Sequence, residues 1–245
     1  MENAIVLSVV TVTKNCRTTL ERTLQSVARI KSTGVEYVVI DGVSTDGTLD
    51  LLRDTGDLVD VMLSESDTGI YNAMNKGVSL ARGAYVVFIN GDDEFIDEGF
   101  PKVMETLAQG KHPIVCARTL VGDPDMPAEV LSAIPHRLFF FNSIPHPSSF
   151  VSRGLLLRWP LREDLRIVSD YDFFLRAYLS GVPFHALPVN TALHQRGGVS
   201  GNVERSRAEL EQVRRERLGW RYPLVNAALG IYRRGKRLLR GARDV

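Results

Sequence analysis

Val86-Val87-Phe88-Ile89-Asn90-Gly91-Asp92-Asp93-Glu94 decides the fold: an apolar run with β propensity stops abruptly at three consecutive acids. A short run of this kind reads as a buried strand of a parallel sheet, and ligands of open α/β sheets bind beyond the carboxyl ends of such strands. Adjacent carboxylates repel each other unless a cation lies between them. Hard oxygen ligands suit Mg2+ or Mn2+, which in turn suit phosphates. The sharp reading is a metal-diphosphate site; the plain one is a polar turn at Gly91 with solvated acids. The segment alone does not choose between them.

Upstream, Ile5 to Thr13 is a β-rich run, and Leu20, Leu24, Val27 and Ile30 recur at helical spacing over Thr18 to Ile30. Tyr37 to Asp41 reads as a second strand, Thr48 to Arg53 as the start of a short helix, and Asp57 to Leu63 as a third strand. Ile70 to Ala81 is a helix with Ile70, Met74 and Val78 on one face, and Tyr85 to Ile89 is the strand that ends in the acids. This alternation predicts an α/β fold with a doubly wound, Rossmann-like, mostly parallel sheet. Downstream, a helix over Phe100 to Ala108 and a strand over Ile114 to Arg118 complete the pattern. Val121 to Pro147, with Pro124, Pro127, Pro135, Pro145 and Pro147, reads as a loop-rich excursion facing substrate. Asp170 to Leu179 returns as a helix and Phe184 to Val189 as a strand.

The 245 residues, 44% hydrophobic and 24% charged, suffice for a large core and suggest one α/β domain with an appendage. Apolar runs such as Ile5 to Val10 fall far below the ~18 residues of a membrane-spanning helix. Acidic Glu2 stands where a secretory leader would be basic, so the expected location is the cytosol. Cys16 and Cys116 have no metal-like spacing and read as buried or loop residues.

Charge is uneven. Residues 203–245 carry 12 Lys and Arg against 5 Asp and Glu, whereas residues 1–202 carry 18 against 24. The division expected is a catalytic domain over 1–202 and a basic, amphipathic helical extension over 203–245. Trp220, Tyr222, Leu224, Val225, Leu229, Ile231 and Tyr232, interleaved with Arg and Lys, suit an anionic membrane surface. A helix packed on the domain with a solvated basic face fits the same residues. Nucleic acid is not an expected partner, since no recognition fold accompanies the charge.

Asp41-Gly42-Val43-Ser44-Thr45-Asp46-Gly47-Thr48 follows the second strand, so Asp41 also lies at a carboxyl edge. Asp41 there can accept a hydrogen bond from a base imide or a ribose hydroxyl, while Ser44 or Asp46 can cap the next helix. Ser169-Asp170-Tyr171-Asp172 opens a later helix, where Ser169 or Asp170 as a cap and Asp172 paired with Arg176 at i, i+4 is the structural reading.

Together these segments resemble the family 2 nucleotide-sugar-dependent glycosyltransferases, with the fold called GT-A. Val9-Val10-Thr11-Val12-Thr13-Lys14-Asn15 looks like that family's first strand and loop, and Asp41 to Thr48 its Asp-rich second-strand motif. Asp67-Thr68-Gly69-Ile70-Tyr71-Asn72-Ala73-Met74-Asn75-Lys76-Gly77 resembles the loop and helix before the metal strand, and Asn90 to Asp93 stand where an Asp-x-Asp metal motif is found. The resemblance spans roughly residues 5 to 200. Three positions depart from it: Asn90 replaces a common first Asp, Met74 a common Arg, and the second-strand motif has one Asp where two are common.

The resemblance implies an inverting transfer of a sugar from a nucleoside diphosphate donor, with UDP-sugar expected, to a glycan or lipid-linked acceptor in cell-surface polysaccharide or glycolipid biosynthesis. It implies a donor pocket of Thr11, Thr13, Asp41, Asn75, Lys76 and Asp92, and Mn2+ or Mg2+ held by Asp92 and Asp93. Asp170 would be the catalytic base, taking the acceptor hydroxyl's proton opposite the leaving group. His146, in Pro145-His146-Pro147, and His194 and Arg196, in a late Gly197-Gly198 loop, would face acceptor or diphosphate; ordinary loop positions fit them equally. The enzyme would sit in the cytoplasm, peripheral to the inner face of the cell membrane. A sugar nucleotidyltransferase would show a Gly-rich loop where Thr13-Lys14-Asn15-Cys16-Arg17 stands. A binding protein without catalysis remains thinkable through Asn90.

Overall fold

β1 (Leu7–Thr13) runs between β2 (Val35–Asp41) and β4 (Tyr85–Phe88), parallel to both, and β2 pairs in parallel with β3 (Val61–Ser64). The computed structural model describes residues 4–123, 126–194 and 203–241. Every residue of β1 and β2 is buried, the pattern of strands covered on both faces. Side chains alternate between those faces. Leu7, Val9, Val87 and Ile89 join the layer under α1 (Arg17–Ile30) and α4 (Phe100–Ala108). Val10, Val12, Val86 and Phe88 join the opposite layer with α3 (Ile70–Leu80) and α6 (Ser169–Leu179).

The sheet is mixed, which corrects the mostly parallel expectation. Beyond β4 come β8 (Ser149–Ser152), β6 (Ile114–Asp123), β9 (Phe184–His194) and β5 (Glu94–Phe95), in that order, with β7 (Met126–Leu131) paired to β6. β8 is antiparallel to β4 and β6, β7 to β6, and β5 to β9; β6 and β9 are parallel. The excursion after Arg118 is thus partly a hairpin. Its prolines disguise it: β7 pairs with β6 alone, so Pro127 is tolerated, and the register shifts between Val121 and Gly122. The third strand starts later than its apolar run, because Gly56 at φ 59° leads into a 3-10 turn over Gly56–Leu58. α2 (Thr48–Arg53) and α5 (Arg153–Arg158) are short connectors.

Two helices close the chain. α7 (Val203–Leu218) buries Val213, Arg214 and Leu218, and its Arg217 grips Asp172 with two 2.8 Å bonds. The i, i+4 partner expected for Asp172 is displaced: Arg176 donates to the Trp159 and Pro160 carbonyls instead. The reason is burial, since a carboxylate that is 1% exposed requires a bidentate partner, and α7 supplies it. Arg217→Ala is therefore expected to lower unfolding free energy by about 3 kcal/mol, read from urea denaturation. A loss below ~0.5 kcal/mol would mean the pair does not hold α7.

α8 (Tyr222–Gly241) buries Leu229 but leaves Leu224, Ile231 and Tyr232 exposed, beside Trp220 at its start. Among the described residues no helix is long and apolar enough to cross a membrane.

Candidate active site

The parallel strands β1, β2 and β4 end side by side, so Thr13, Asp41 and the turn after Phe88 share one edge. That turn is closed by a bond from the Asp93 amide to the Asn90 carbonyl and by the Thr23 hydroxyl, which donates to the Asp93 carbonyl at 2.7 Å. Gly91 is fixed by close approach: a Cβ there would meet Cys16 Sγ at 2.9 Å.

The acids separate by environment. Asp93 is buried and its Oδ1 lies 2.6 Å from His194 Nδ1. This follows from β5 pairing antiparallel to β9 with Glu94 opposite Leu193, which brings the next residues outward, Asp93 and His194, together. The Asp93 hydrogen bond raises the His194 pKa and so favours an imidazolium. Asp92 is half-exposed, and burial together with the Asp93 charge pushes its carboxyl upward. Glu94 turns away toward Arg22 at 3.8 Å.

The His146 ring lies tilted by 30° against Phe88, ring centroids 5.4 Å apart, and thus against the end of β4. Burial lowers its pKa, opposed by the charges of Asp170 and Asp93. The charges of both carboxylates, 77 positions apart in sequence, thus act on one imidazole. Four polar atoms of this region are buried without a partner among the described residues: Asn90 Oδ1, Asp93 Oδ2, His146 Nε2 and Asp170 Oδ1. Unsatisfied groups of this kind are rare and mark places where a ligand, ion or water belongs.

Asp170 does not cap its helix. The N-cap of α6 is Val168, with no side-chain cap bond. The amides of Arg166, Ile167 and Val168 donate to Glu209 of α7, and the Tyr71 hydroxyl lies beside those of Ser169 and Asp170. Asp170 Oδ2 accepts from Asn142 at 3.1 Å and Oδ1 is left over.

Other expected donor contacts are engaged within the protein. Thr11 is buried and receives the Tyr37 hydroxyl. Asp41 has no exposed surface; Thr13 and Ser44 hydroxyls donate to Oδ1, and the Ser44 amide and Ser64 hydroxyl to Oδ2. Asn75 bonds both ways to the Leu161 backbone and to Glu163, stapling α3 to that segment. Lys76 pairs with Glu65 at 2.7 Å and reaches the Ser66 carbonyl. Arg196 lies outside the described residues. The N-cap of α2 is Gly47, not Ser44 or Asp46; the Asp46 carboxylate accepts from the Thr48 amide and from the Arg17 amide that opens α1. Sequence reasoning missed Asn142, Tyr71 and Glu209, which have no local signal and reach Asp170 or its helix only through folding.

Among the described residues no three His, Cys, Asp or Glu side chains converge as a ready metal cage. The donor set still fits a hard cation that is held by one or two carboxylates and completed by phosphate and water, the usual habit of Mg2+. Half-open Asp92 and the orphaned Asp93 Oδ2 and Asn90 Oδ1 are oxygen donors of that kind.

The family model described as Glycosyl transferase family 2 matches residues 8–152. Among curated proteins, the PGL/p-HBAD biosynthesis glycosyltransferase of Mycobacterium bovis (strain BCG / Pasteur 1173P2) is 29% identical over 216 residues, covering 82% of this chain and 81% of that protein. The putative teichuronic acid biosynthesis glycosyltransferase TuaG of Bacillus subtilis (strain 168) is 31% identical over 106 residues, 42% of each. Solved structures share the fold. S. aureus TarS 1-349 in complex with UDP-GlcNAc superposes with a TM-score of 0.66 at 17% identity, covering 89% of this chain and 73% of that one. Mannosyltransferase PcManGT from Pyrobaculum calidifontis, in complex with GDP-Man and Mn2+, gives 0.70 at 19% identity, covering 91% and 68%.

Proposed function

The chain belongs to glycosyl transferase family 2, and from that premise we propose that it transfers a sugar, with inversion, from a nucleoside diphosphate donor to a lipid-linked or glycan acceptor in cell-surface glycan biosynthesis. The observation that carries this reading is the edge where β1, β2 and β4 end, with Asp92 partly exposed there and Asp93 and Asp170 each keeping a buried oxygen without a partner among the described residues. It joins a diphosphate end to an acceptor end at one GT-A-type sheet edge.

In this reading Asp92 faces the donor diphosphate and would hold Mn2+ or Mg2+, with Asp93 behind it orienting His194 as an ion pair. The bound cation would stabilise the nucleotide leaving group as the sugar bond breaks. His194, held toward its charged form by Asp93, adds positive charge at the same place. Burial disfavours the charged form of His146, against the pull of the Asp170 and Asp93 charges. Asp170 takes the proton of the attacking acceptor hydroxyl through its free Oδ1, while Asn142 fixes the other oxygen. Catalysis is assigned to residues 1–202, with α7 closing the wall behind Asp170, and α8 is the extension proper.

The acceptor class in this reading is drawn from α8. Its exposed Tyr232 meets exposed Phe141 at 5.6 Å, and the next residue, Asn142, holds Asp170. Exposed apolar rings thus lie one residue from the partner of the base, suited to an anionic membrane on the cytoplasmic side that carries a lipid-linked acceptor. Truncation after Gly219 is expected to weaken binding to anionic vesicles at low salt while nucleotide binding persists. Indifference of the full-length protein to such vesicles would make α8 a packing element or a protein contact. The transfer reading itself is tested by incubating the protein with UDP-, GDP- and dTDP-sugars and Mn2+ and assaying free nucleoside diphosphate. Release from one donor class is expected; no release from any, with nucleotide bound, would leave a sugar-nucleotide-binding protein.

A further inference from the structure

Arg214 of α7 is a buried cation without an ion pair among the described residues. It is 6% exposed; its Nη1 donates to the Phe140 carbonyl at 2.8 Å, and its Nε is buried without a partner. Three residues on, Arg217 is spent on Asp172. Burying a charge without a counter-charge costs free energy, and packing alone does not return it. What the buried guanidinium supplies is the bond to Phe140.

That carbonyl belongs to the turn that carries the partner of the base. A 3-10 turn over Pro135–Phe139 leads into Phe140, Phe141 and Asn142. The Ile134 amide donates to the Ser143 carbonyl and the Ser143 hydroxyl to the Ile134 carbonyl, which closes the turn at its foot. Bonds from two helices reach its tip: the buried Tyr171 hydroxyl donates to the Leu138 carbonyl at 2.7 Å, and Arg214 donates to Phe140. Tyr171 follows Asp170 in the chain, so α6 fixes one side of the turn and α7 the other. Asn142 stands at the end of this segment, exposed, and donates to Asp170 Oδ2 at 3.1 Å. An exposed amide competes with water and keeps its rotamer freedom, so its direction is only as well fixed as the backbone beneath it.

We propose that Arg214 is a positioning residue for the transfer reaction: its bond to the Phe140 carbonyl sets the turn from which Asn142 orients Asp170, so the catalytic unit extends past residue 202 into α7. The inference rests on the base assigned to Asp170 above. Asn142 holds Oδ2, and the unpartnered Oδ1 then points where the turn directs it. A reacting group displaced by about an ångström can cost on the order of a hundredfold in rate, even when the cause lies far from the chemistry. Arg214 touches neither donor nor acceptor in this scheme; it acts through the backbone of the turn.

The test is release of nucleoside diphosphate, in Mn2+ and with water as acceptor, from the sugar nucleotide that the wild type turns over. It is read as kcat and KM, with circular dichroism to confirm that each variant is folded. Arg214→Met fills the same space without a donor and should lower kcat by roughly tenfold or more while KM for the sugar nucleotide stays within about twofold. Asn142→Ala should show the same split. Because the two residues act in series, Arg214→Met added to Asn142→Ala should cost little more than Asn142→Ala alone. Arg214→Gln serves the same cycle if Arg214→Met does not fold. Arg215→Ala, which removes the neighbouring exposed cation paired with Glu211, should leave kcat unchanged. An unchanged kcat in the Arg214 variant, or losses that multiply in the double variant, overturns the inference and leaves Asp170 as the base. Unchanged release in Asp170→Asn would remove the base and this inference together, with the sugar-nucleotide donor standing. Release from no donor by wild type would overturn the donor reading and this inference with it.

Discussion

Asp170→Asn is expected to lower transfer turnover by roughly two to four orders of magnitude while the affinity for nucleoside diphosphate stays nearly unchanged. A base acts on the acceptor hydroxyl in the transition state and touches the nucleotide little, so the loss should fall on kcat. A helix-capping residue in the same place would behave differently, costing stability and not turnover. The N-cap of α6 is Val168, Glu209 accepts from the amides leading into the helix, and among the described residues the Asp170 carboxylate has one hydrogen-bond partner, Asn142. The contrast is Asp172→Asn, which removes the charge that Arg217 and Arg162 face and should lower the unfolding midpoint, with turnover per folded molecule largely kept. Near-normal turnover in Asp170→Asn, or a product with the donor's anomeric configuration, would remove Asp170 from the mechanism.

Asp92→Ala is expected to raise the Kd for nucleoside diphosphate in Mn2+ by roughly a hundredfold, to the value seen in EDTA, because the half-open carboxylate is the one that can reach a cation bridging the phosphates. Asp93→Ala acts by another route. Its side chain is buried and spends Oδ1 on His194, so its loss should free that ring and cost a smaller factor, ten- to a hundredfold at most, typical of a group that orients others. Equal affinity for all three proteins with and without cation would mean that the acids are polar turn residues and that phosphate binding lies elsewhere.

The strands were legible where their residues are apolar on both faces. Leu7 to Thr13 and Val35 to Asp41 are buried throughout, and such runs read as parallel strands without knowledge of their neighbours. The second half was harder for identifiable reasons. β8 is four residues long and pairs with β4 and β6 at separations of 33 to 67 positions, which no local period reports, while β7 pairs with β6 only 3 to 12 positions back but carries Pro127. For the candidate site, a carboxylate after an apolar strand correctly marked an edge. It could not tell whether the side chain points outward or is consumed at once, as at Asp41, where four protein donors converge. Asn75 and Lys76 illustrate the same limit, since α3 turns them toward Leu161 and Glu65. The distant arrivals, Asn142 on Asp170 and Glu209 on the start of α6, are products of tertiary packing alone.

The most direct single measurement is thermal unfolding of the wild-type protein with UDP, GDP and dTDP, each in Mn2+ and in EDTA. A ligand that binds only the native state raises the midpoint by mass action. The account predicts an upward shift of several degrees with at least one of the three diphosphates in Mn2+, largely abolished by EDTA. A midpoint that no diphosphate moves, or one that moves equally in EDTA, would contradict the claim that this sheet edge is a cation-assisted nucleotide-sugar site.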